Sequence, residues 1–494
     1  MSTIPFRVIP QNYRLPGAIF ELDNSQANTG ATTQRALVIG QITAAGTATP
    51  NVPLICGGIG DAQAAGGANS MLANMIEAYR LNDTFGEVWM LPVADAAGAS
   101  AAAGAITITA GPSANGTLAL YIAGNLVTVP VTAGQAVADV ASAIVEAVNA
   151  VSGMPVTAAS QAGAVTLTAV NKGLCGNEID IRFNYRGTAG GEVTPAGLTY
   201  TVTAMTGGAT NPTLTTALAN LGTTSFDFIV NPYTDAASLD AVKALLNDQT
   251  GRWGYLEQLY GHSFGGFSGT FAASTTLGLA RNNQHETILP FASSPTPSWL
   301  WAASLAGQAA VSVRADPGVP LQSLPLNGVL APAPKDRWQP SIRNTLLFDG
   351  MSTFTVADDG TVMTENIVTT YQTNAQGVAD DSYLEVETMY QLVLEIRTMQ
   401  AMLSSKYARC KLADDGSRPP AGSNLVTPST IKADIIALYN ERVDAGFVQG
   451  KAAFAAALVV QKNTVGPNRV DILWPGVPVN QMRTFATLVQ FRLQ

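Results

Sequence analysis

A β-α-β pattern that breaks off near residue 94 and resumes after residue 207 limits the fold of this chain more than any single motif. Arg35 to Gly40 (RALVIG) reads as a buried strand. Asn69 to Leu81 carries Leu72, Met75, Ile76 and Tyr79 at helical spacing, and Glu87 to Val93 (EVWMLPV) reads as the next strand. Such alternation favours a parallel sheet covered by helices. After Gly207-Gly208 the expected order is helix (Leu214 to Leu221), strand (Phe226 to Val230), helix (Asp235 to Asn247), strand (Tyr255 to Tyr260), helix (Ala272 to Arg281), strand (Glu286 to Pro290) and helix (Ser298 to Arg314). An open α/β sheet with flanking helices follows.

The texture between the two halves is different. Ala94 to Gly104 is rich in Ala and Gly, and from Ala105 to about Met205 short runs of Thr, Val and Ile alternate with Gly, Asn and Pro. One helix, Gln135 to Val151, interrupts them, so a small β-rich domain inserted into the α/β domain is expected. A Pro-rich run from Pro317 to Pro340 then closes the α/β part. Beyond it, Asp358-Asp359-Gly360 signals a hairpin. Long helices are expected at Ser382 to Lys411 and Pro428 to Ala445, and a strand at Arg469 to Trp474. The organisation reads as an N-terminal arm (1–22), a discontinuous α/β domain (23–99 and 207–335), the insertion (100–206), an α+β C-terminal domain (336–480) and a C-terminal arm (481–494).

Both arms have the period of a strand. Ile4, Phe6 and Val8 alternate with their neighbours, and so do Phe485, Thr487, Val489, Phe491 and Leu493. A terminal apolar strand either joins its own sheet or offers its backbone to another chain.

Charged residues make up 12% of the chain, about half of the roughly 25% usual for soluble domains. Little charge means little repulsion between copies, which suits extensive subunit contact. No apolar run reaches the roughly 18–20 residues of a membrane-spanning helix, so no membrane insertion is expected. The N-terminus lacks a basic region followed by an apolar core, which points to synthesis ending in the cytoplasm. Three scattered cysteines do not suggest a disulfide framework. A net charge of -9 argues against direct nucleic-acid binding, yet the basic residues are uneven, 8 in residues 1–250 against 18 in 251–494.

The most enzyme-like string is Gly261-His262-Ser263-Phe264-Gly265, a G-x-S-x-G sequence that in a serine hydrolase would place Ser263 on a nucleophile elbow. That alternative needs an acid and then a His downstream. Only His285 follows, with no Asp or Glu between, so the triad order cannot be completed. No zinc spacing is present, and Asp358-Asp359-Gly360 and Asp414-Asp415-Gly416 read as turns rather than calcium loops. Gly446 to Lys451 fails the P-loop pattern, and Cys56 to Gly60 lacks the spacing of a dinucleotide site. No catalytic centre, metal or cofactor is expected.

Several strings in order resemble the tail sheath protein of Mu-like contractile-tailed phages: Tyr13 to Ala27 (YRLPGAIFELDNSQA), Arg35 to Gln41, Gly66 to Met75 (GGANSMLANM), Asp316 to Pro332 (DPGVPLQSLPLNGVLAP) and Arg343 to Gly350 (RNTLLFDG). The resemblance extends through the C-terminal helices and is weakest over the insertion. It implies a structural subunit that stacks as rings around a tail tube and contracts to drive the tube through a host envelope. It implies as partners other copies of the chain, the tube protein, and baseplate and tail terminator proteins, in a virion assembled in host cytoplasm. It further implies that Ile4, Phe6, Val8, Phe485, Thr487, Val489, Phe491 and Leu493 lie in arms that complete an intersubunit sheet, with Pro475-Gly476-Val477-Pro478 as a flexible joint. Tube contact is implied for the C-terminal domain, where Arg397, Lys406, Arg409, Lys411, Lys432 and Arg442 are the candidates.

Overall fold

The computed structural model describes residues 34–417 and 423–493. Its centre is a six-stranded sheet in the order Glu286–Phe291, His262–Ser268, Phe228–Val230, Ala36–Gln41, Val88–Val93, Leu54–Cys56. The first five run parallel, and Leu54–Cys56 pairs antiparallel at the edge. Every residue of Ala36–Gln41 is buried, as expected of a central parallel strand whose two faces are both covered.

The helix Met71–Arg80 begins where Ser70 accepts a hydrogen bond from the Ala73 amide at 3.1 Å, a cap worth about 1 kcal/mol. It lies so close to the sheet that a Cβ on Gly40 would come within 2.8 Å of the Leu72 Cα. Beside it packs Ser298–Ala315, buried on nearly every side through Trp299, Trp301, Leu305, Ala309 and Val313. A helix that is apolar all round belongs in an interior.

The insertion folds around a core of its own, which includes Ile106, Leu120, Val140, Ile144 and Leu167. It has a four-stranded antiparallel sheet (Thr199–Thr206, Ala103–Ala110, Ala164–Ala169, Val156–Gln161), a three-stranded sheet (Asn125–Val131, Gly116–Ile122, Ile181–Phe183) and the helix Val137–Ala150. Ser100 and Ala209 exchange backbone hydrogen bonds at 3.2 and 3.3 Å where the chain leaves and re-enters the body. The Gln41 amide donates to Asp95 at 2.7 Å and to the Lys172 carbonyl at 2.6 Å. Glu178, part-buried, accepts from the Ser298 amide at 3.1 Å and from its hydroxyl, holding the insertion to the start of the central helix. Burial pushes its carboxyl up, against the pull of those two bonds.

Three expectations change. Tyr255 to Tyr260 is not a strand; that place in the sheet is taken by His262–Ser268. Gly266 is needed there, because a Cβ on it would lie 2.3 Å from the Ser298 carbonyl oxygen. The edge strand Leu54–Cys56 and the helix Ile59–Gly66 stand around a stretch read only as a Gly-rich turn. The boundary expected at 335/336 does not divide the cores, since Phe354, Val362, Ile367, Val386 and Tyr390 share one buried cluster with Leu37 and Phe228. A separate C-terminal cluster forms around Val426, Ile431, Ile435, Tyr439 and Phe454. The helix Val386–Tyr407 joins the two, with Val386 and Tyr390 in the first and Met402, Leu403 and Tyr407 against the second.

Candidate assembly interface

Residues 477–483 are fastened to the body step by step. Val477–Pro478 pairs antiparallel with Val448–Gln449, and the Val477 amide donates to the Tyr439 hydroxyl at 3.1 Å. The Val479 amide donates to the Phe447 carbonyl at 3.1 Å, while its own carbonyl accepts from the Gln391 side chain at 3.0 Å. The Gln481 amide donates to Gln391 Oε1 at 3.0 Å. Arg483 Nη2 then reaches Glu385 Oε2 at 2.6 Å and Glu387 Oε2 at 2.9 Å. The joint expected at Pro475 to Pro478 is therefore built into a ladder, because Val477 and Pro478 have backbone partners.

Past Arg483 the chain leaves the body. Every residue from Thr484 to Leu493 is exposed, and none lies in a helix or a ladder. Phe485, Leu488, Val489, Phe491 and Leu493 are 78 to 88% exposed. The strand read from their alternation is absent as a strand, since a strand exists only beside a partner and this segment has none among the described residues. Ile4, Phe6 and Val8 lie outside the described residues.

A small sheet with open edges lies on the C-terminal unit. Val459–Lys462 and Val470–Leu473 form a two-stranded antiparallel sheet, and no third strand joins either edge among the described residues. One side carries Val460, Val470 and Ile472 onto the cluster of Tyr439 and Phe454, whose rings stack with centroids 3.5 Å apart. Val459 and Leu473 remain exposed. Two unpaired edges on a small sheet are a template for an added strand.

The six basic candidates separate. Arg397 Nη1 pairs with Asp227 at 2.6 Å, with the carboxylate 1% exposed, and Arg442 pairs with Glu395 at 2.8 Å while covering the Phe447 ring at 4.0 Å. Both are interior ties, and neither is presented to a partner. Burial pushes the Asp227 carboxyl up and Arg397 draws it back. Lys406 is half exposed and pairs with Asp434 at 2.6 Å. Arg409 and Lys411 are exposed and Lys432 is partly so. The structure brings together a pair that sequence reasoning missed, Arg483 with Glu387, nearly a hundred residues apart.

The G-x-S-x-G string is not an elbow. Ser263 sits inside a parallel strand, 2% exposed, opposite Ile229 on one side and Glu286 on the other. His262 Nε2 bonds the Thr287 hydroxyl at 2.8 Å, and burial, with His285 nearby, holds its imidazole well below the usual range. His285 bonds Asp248 at 2.6 Å and stacks on Trp253. A nucleophile must stand at the end of a strand, facing a cleft, and this one is enclosed. A surface cavity of about 240 Å³ is lined by Arg337, Trp338, Arg343, Thr353, Phe354, Thr355 and Val356, a set with neither nucleophile–base pair nor carboxylate. Among the described residues no cluster of His, Cys, Asp and Glu could hold a metal, and no helix is long and apolar enough to cross a membrane.

Residues 207–370 match the phage tail sheath protein central domain, and residues 378–492 match the phage tail sheath C-terminal domain. The Mu-like prophage FluMu tail sheath protein of Haemophilus influenzae is 36% identical over 493 residues, which cover 99% of this chain and 100% of that protein. Among solved structures, a sheath tail protein of Desulfitobacterium hafniense is 14% identical, with 94% of this chain and 100% of that chain covered and a TM-score of 0.47. A chain of the anti-feeding prophage baseplate is 11% identical over 97% of this chain and 100% of that one, with a TM-score of 0.49.

Proposed function

This chain belongs to the phage tail sheath protein family, a class of structural viral tail proteins, and from that premise we propose that it polymerises by donating residues 484–493 to the open sheet of a neighbouring copy. The observation that carries the reading is the arm itself: an apolar, extended segment, exposed along its length, that continues from a root tied to the body. The receiver is the sheet of Val459–Lys462 and Val470–Leu473, whose edges offer unpaired amides and carbonyls. Backbone pairing supplies affinity with little demand on sequence, and the alternating side chains choose which face turns inward.

Repeated in one direction, a head-to-tail contact of this kind gives rings or helical filaments rather than closed dimers. Stacked around a tail tube, such a lattice has two packings available, extended and contracted, and contraction is the passage between them with the arms still bound. No cofactor takes part. The tube-facing surface is assigned to exposed Arg409, Lys411 and Lys432, so attachment to the tube weakens as salt screens them. Baseplate and tail terminator proteins then bound the polymer at its ends, and assembly proceeds in the host cytoplasm before the particle is complete.

The direct test removes residues 484–494. The expected result is soluble protein with the fold of the full chain and no tubular polymer under negative stain. Ordered tubes at normal yield from the truncated chain overturn the reading.

A further inference from the structure

The arm has a last fixed point, and that point is an ion cluster. Val479, Gln481 and Arg483 are bound one after another along the helix Val386–Tyr407, to Gln391 and then to Glu387 and Glu385. Beyond Arg483, among the described residues, no hydrogen bond or ion pair to the body occurs. Glu387, 0% exposed, divides its carboxylate: Oε2 takes Arg483, and Oε1 accepts the backbone amide of Leu321 in the Pro-rich segment. Glu385 is the residue just before the first turn of the helix. One guanidinium thus ties the start of that helix and, through Glu387, the Pro-rich segment at Leu321 to the base of the arm.

From this geometry we propose that Arg483 is the positioning residue of the arm, fixing where and in which direction residues 484–493 depart, and so deciding whether a neighbour's open sheet edge can be reached. The inference rests on the reading of residues 484–493 as a donated strand and adds what controls it. Its physical basis is that the Arg483 side chain is only 16% exposed between two carboxylates, one of them fully buried. Its Nε and Nη1 are buried and have no partner among the described residues, where the guanidinium is held by the two carboxylates. Without it two acidic groups share an enclosed site with no counter-charge, and the root opens rather than merely losing two bonds. The flexible point of the chain accordingly lies after residue 483, and the Pro475 to Pro478 stretch moves with the body.

Two measurements test this on the full chain. Hydrogen exchange of the unassembled protein reads the root at residues 477–483, and negative-stain counting of tubes reads assembly. Arg483→Met is expected to speed exchange at 477–483 by about tenfold or more and to cut tube yield by a similar factor, with Arg483→Lys restoring part of both. Should Arg483→Met disturb the wider fold, the combination Arg483→Met, Glu385→Gln, Glu387→Gln removes the buried charges and keeps an acceptor for Leu321. It is expected to fold, to exchange fast only at the root, and still to assemble poorly. Unchanged exchange at 477–483 in both variants overturns the proposal. So does a loosened root with tubes at full yield. Neither result touches the donated-strand reading, which stands or falls with the truncation of residues 484–494.

Discussion

Ala36–Gln41 and the arm 484–493 are both built from strand-forming residues, and they end in opposite environments. The first is buried at every position, paired on both sides by Phe228–Val230 and Val88–Val93. The second is exposed at every position and, among the described residues, unpaired. Their patterns already differ: a continuous apolar run suits a strand covered on both faces, whereas alternation suits one covered on a single face. What separates them in the folded chain is the supply of partners. The body completes its sheet with strands from residues 36 to 291, and the arm, leaving beside the C-terminal cluster, meets no edge among the described residues.

The contrast breaks first, and hardest, at the ion pairs that close the body. Arg397→Leu leaves Asp227 without its counter-charge in the interior and should lower the unfolding free energy by about 3 kcal/mol, read from urea unfolding of unassembled protein. A loss under about 1 kcal/mol would place that pair outside the core's energetics.

The arm root should respond to pH. Burial, reinforced by Glu387 and opposed by Arg483 and Asn366, pushes the Glu385 carboxyl up to about 7 from an ordinary 4.5. Between those values the folded chain keeps a proton that the unfolded chain has released. Stability therefore is complete below about pH 4.5 and is lost as pH rises through about 7, by roughly 2 kcal/mol after relaxation. Burial gives the sign its cause, because it disfavours the charged form of Glu385 in the folded chain. Comparing urea midpoints at pH 5 and pH 8 checks it, and Glu385→Gln should remove this contribution to the slope.

Ser263→Ala exchanges one small buried residue for another in the central sheet. A change of under about 1 kcal/mol is expected. Ester hydrolysis by the wild type that disappears in this variant would revive the hydrolase alternative.

The smallest effect on folding belongs to the arm. Phe491→Asp should shift the unfolding free energy by no more than about 0.5 kcal/mol while abolishing tubes, because its side chain is 80% exposed until a neighbour covers it. A large loss of monomer stability would show that the arm belongs to its own body, and the two regions would no longer differ.

Much of this layout was legible because local chemistry and global fold agree. Ser70 before an apolar stripe announces the helix Met71–Arg80, and Asp359-Gly360 announces the hairpin of Thr353–Val356 with Val362–Asn366. The insertion stood out by texture. The strand His262–Ser268 did not, because Gly265 and Gly266 carry no strand propensity, and Gly266 is there for the helix end that rests on it. The alternating Tyr-Leu-Glu-Gln-Leu-Tyr just before it is the better strand by pattern and is a turn in fact. Arg397 and Arg442 stood among the tube-contact candidates, since spacing cannot reveal an acid arriving from residue 227 or from another helix. Arg483 gave no signal for the same reason. The arm was legible in its alternation, and only the fold could say that it has no partner strand among the described residues.

The fixed root also makes the arm a tether of set length. At roughly 3.3 Å per residue, residues 484–493 reach about 33 Å from Arg483 when taut. In a lattice linked as proposed, any rearrangement that keeps the links must hold each receiving edge inside that radius, so the arm would act as an inextensible cord that bounds how far adjoining bodies can travel.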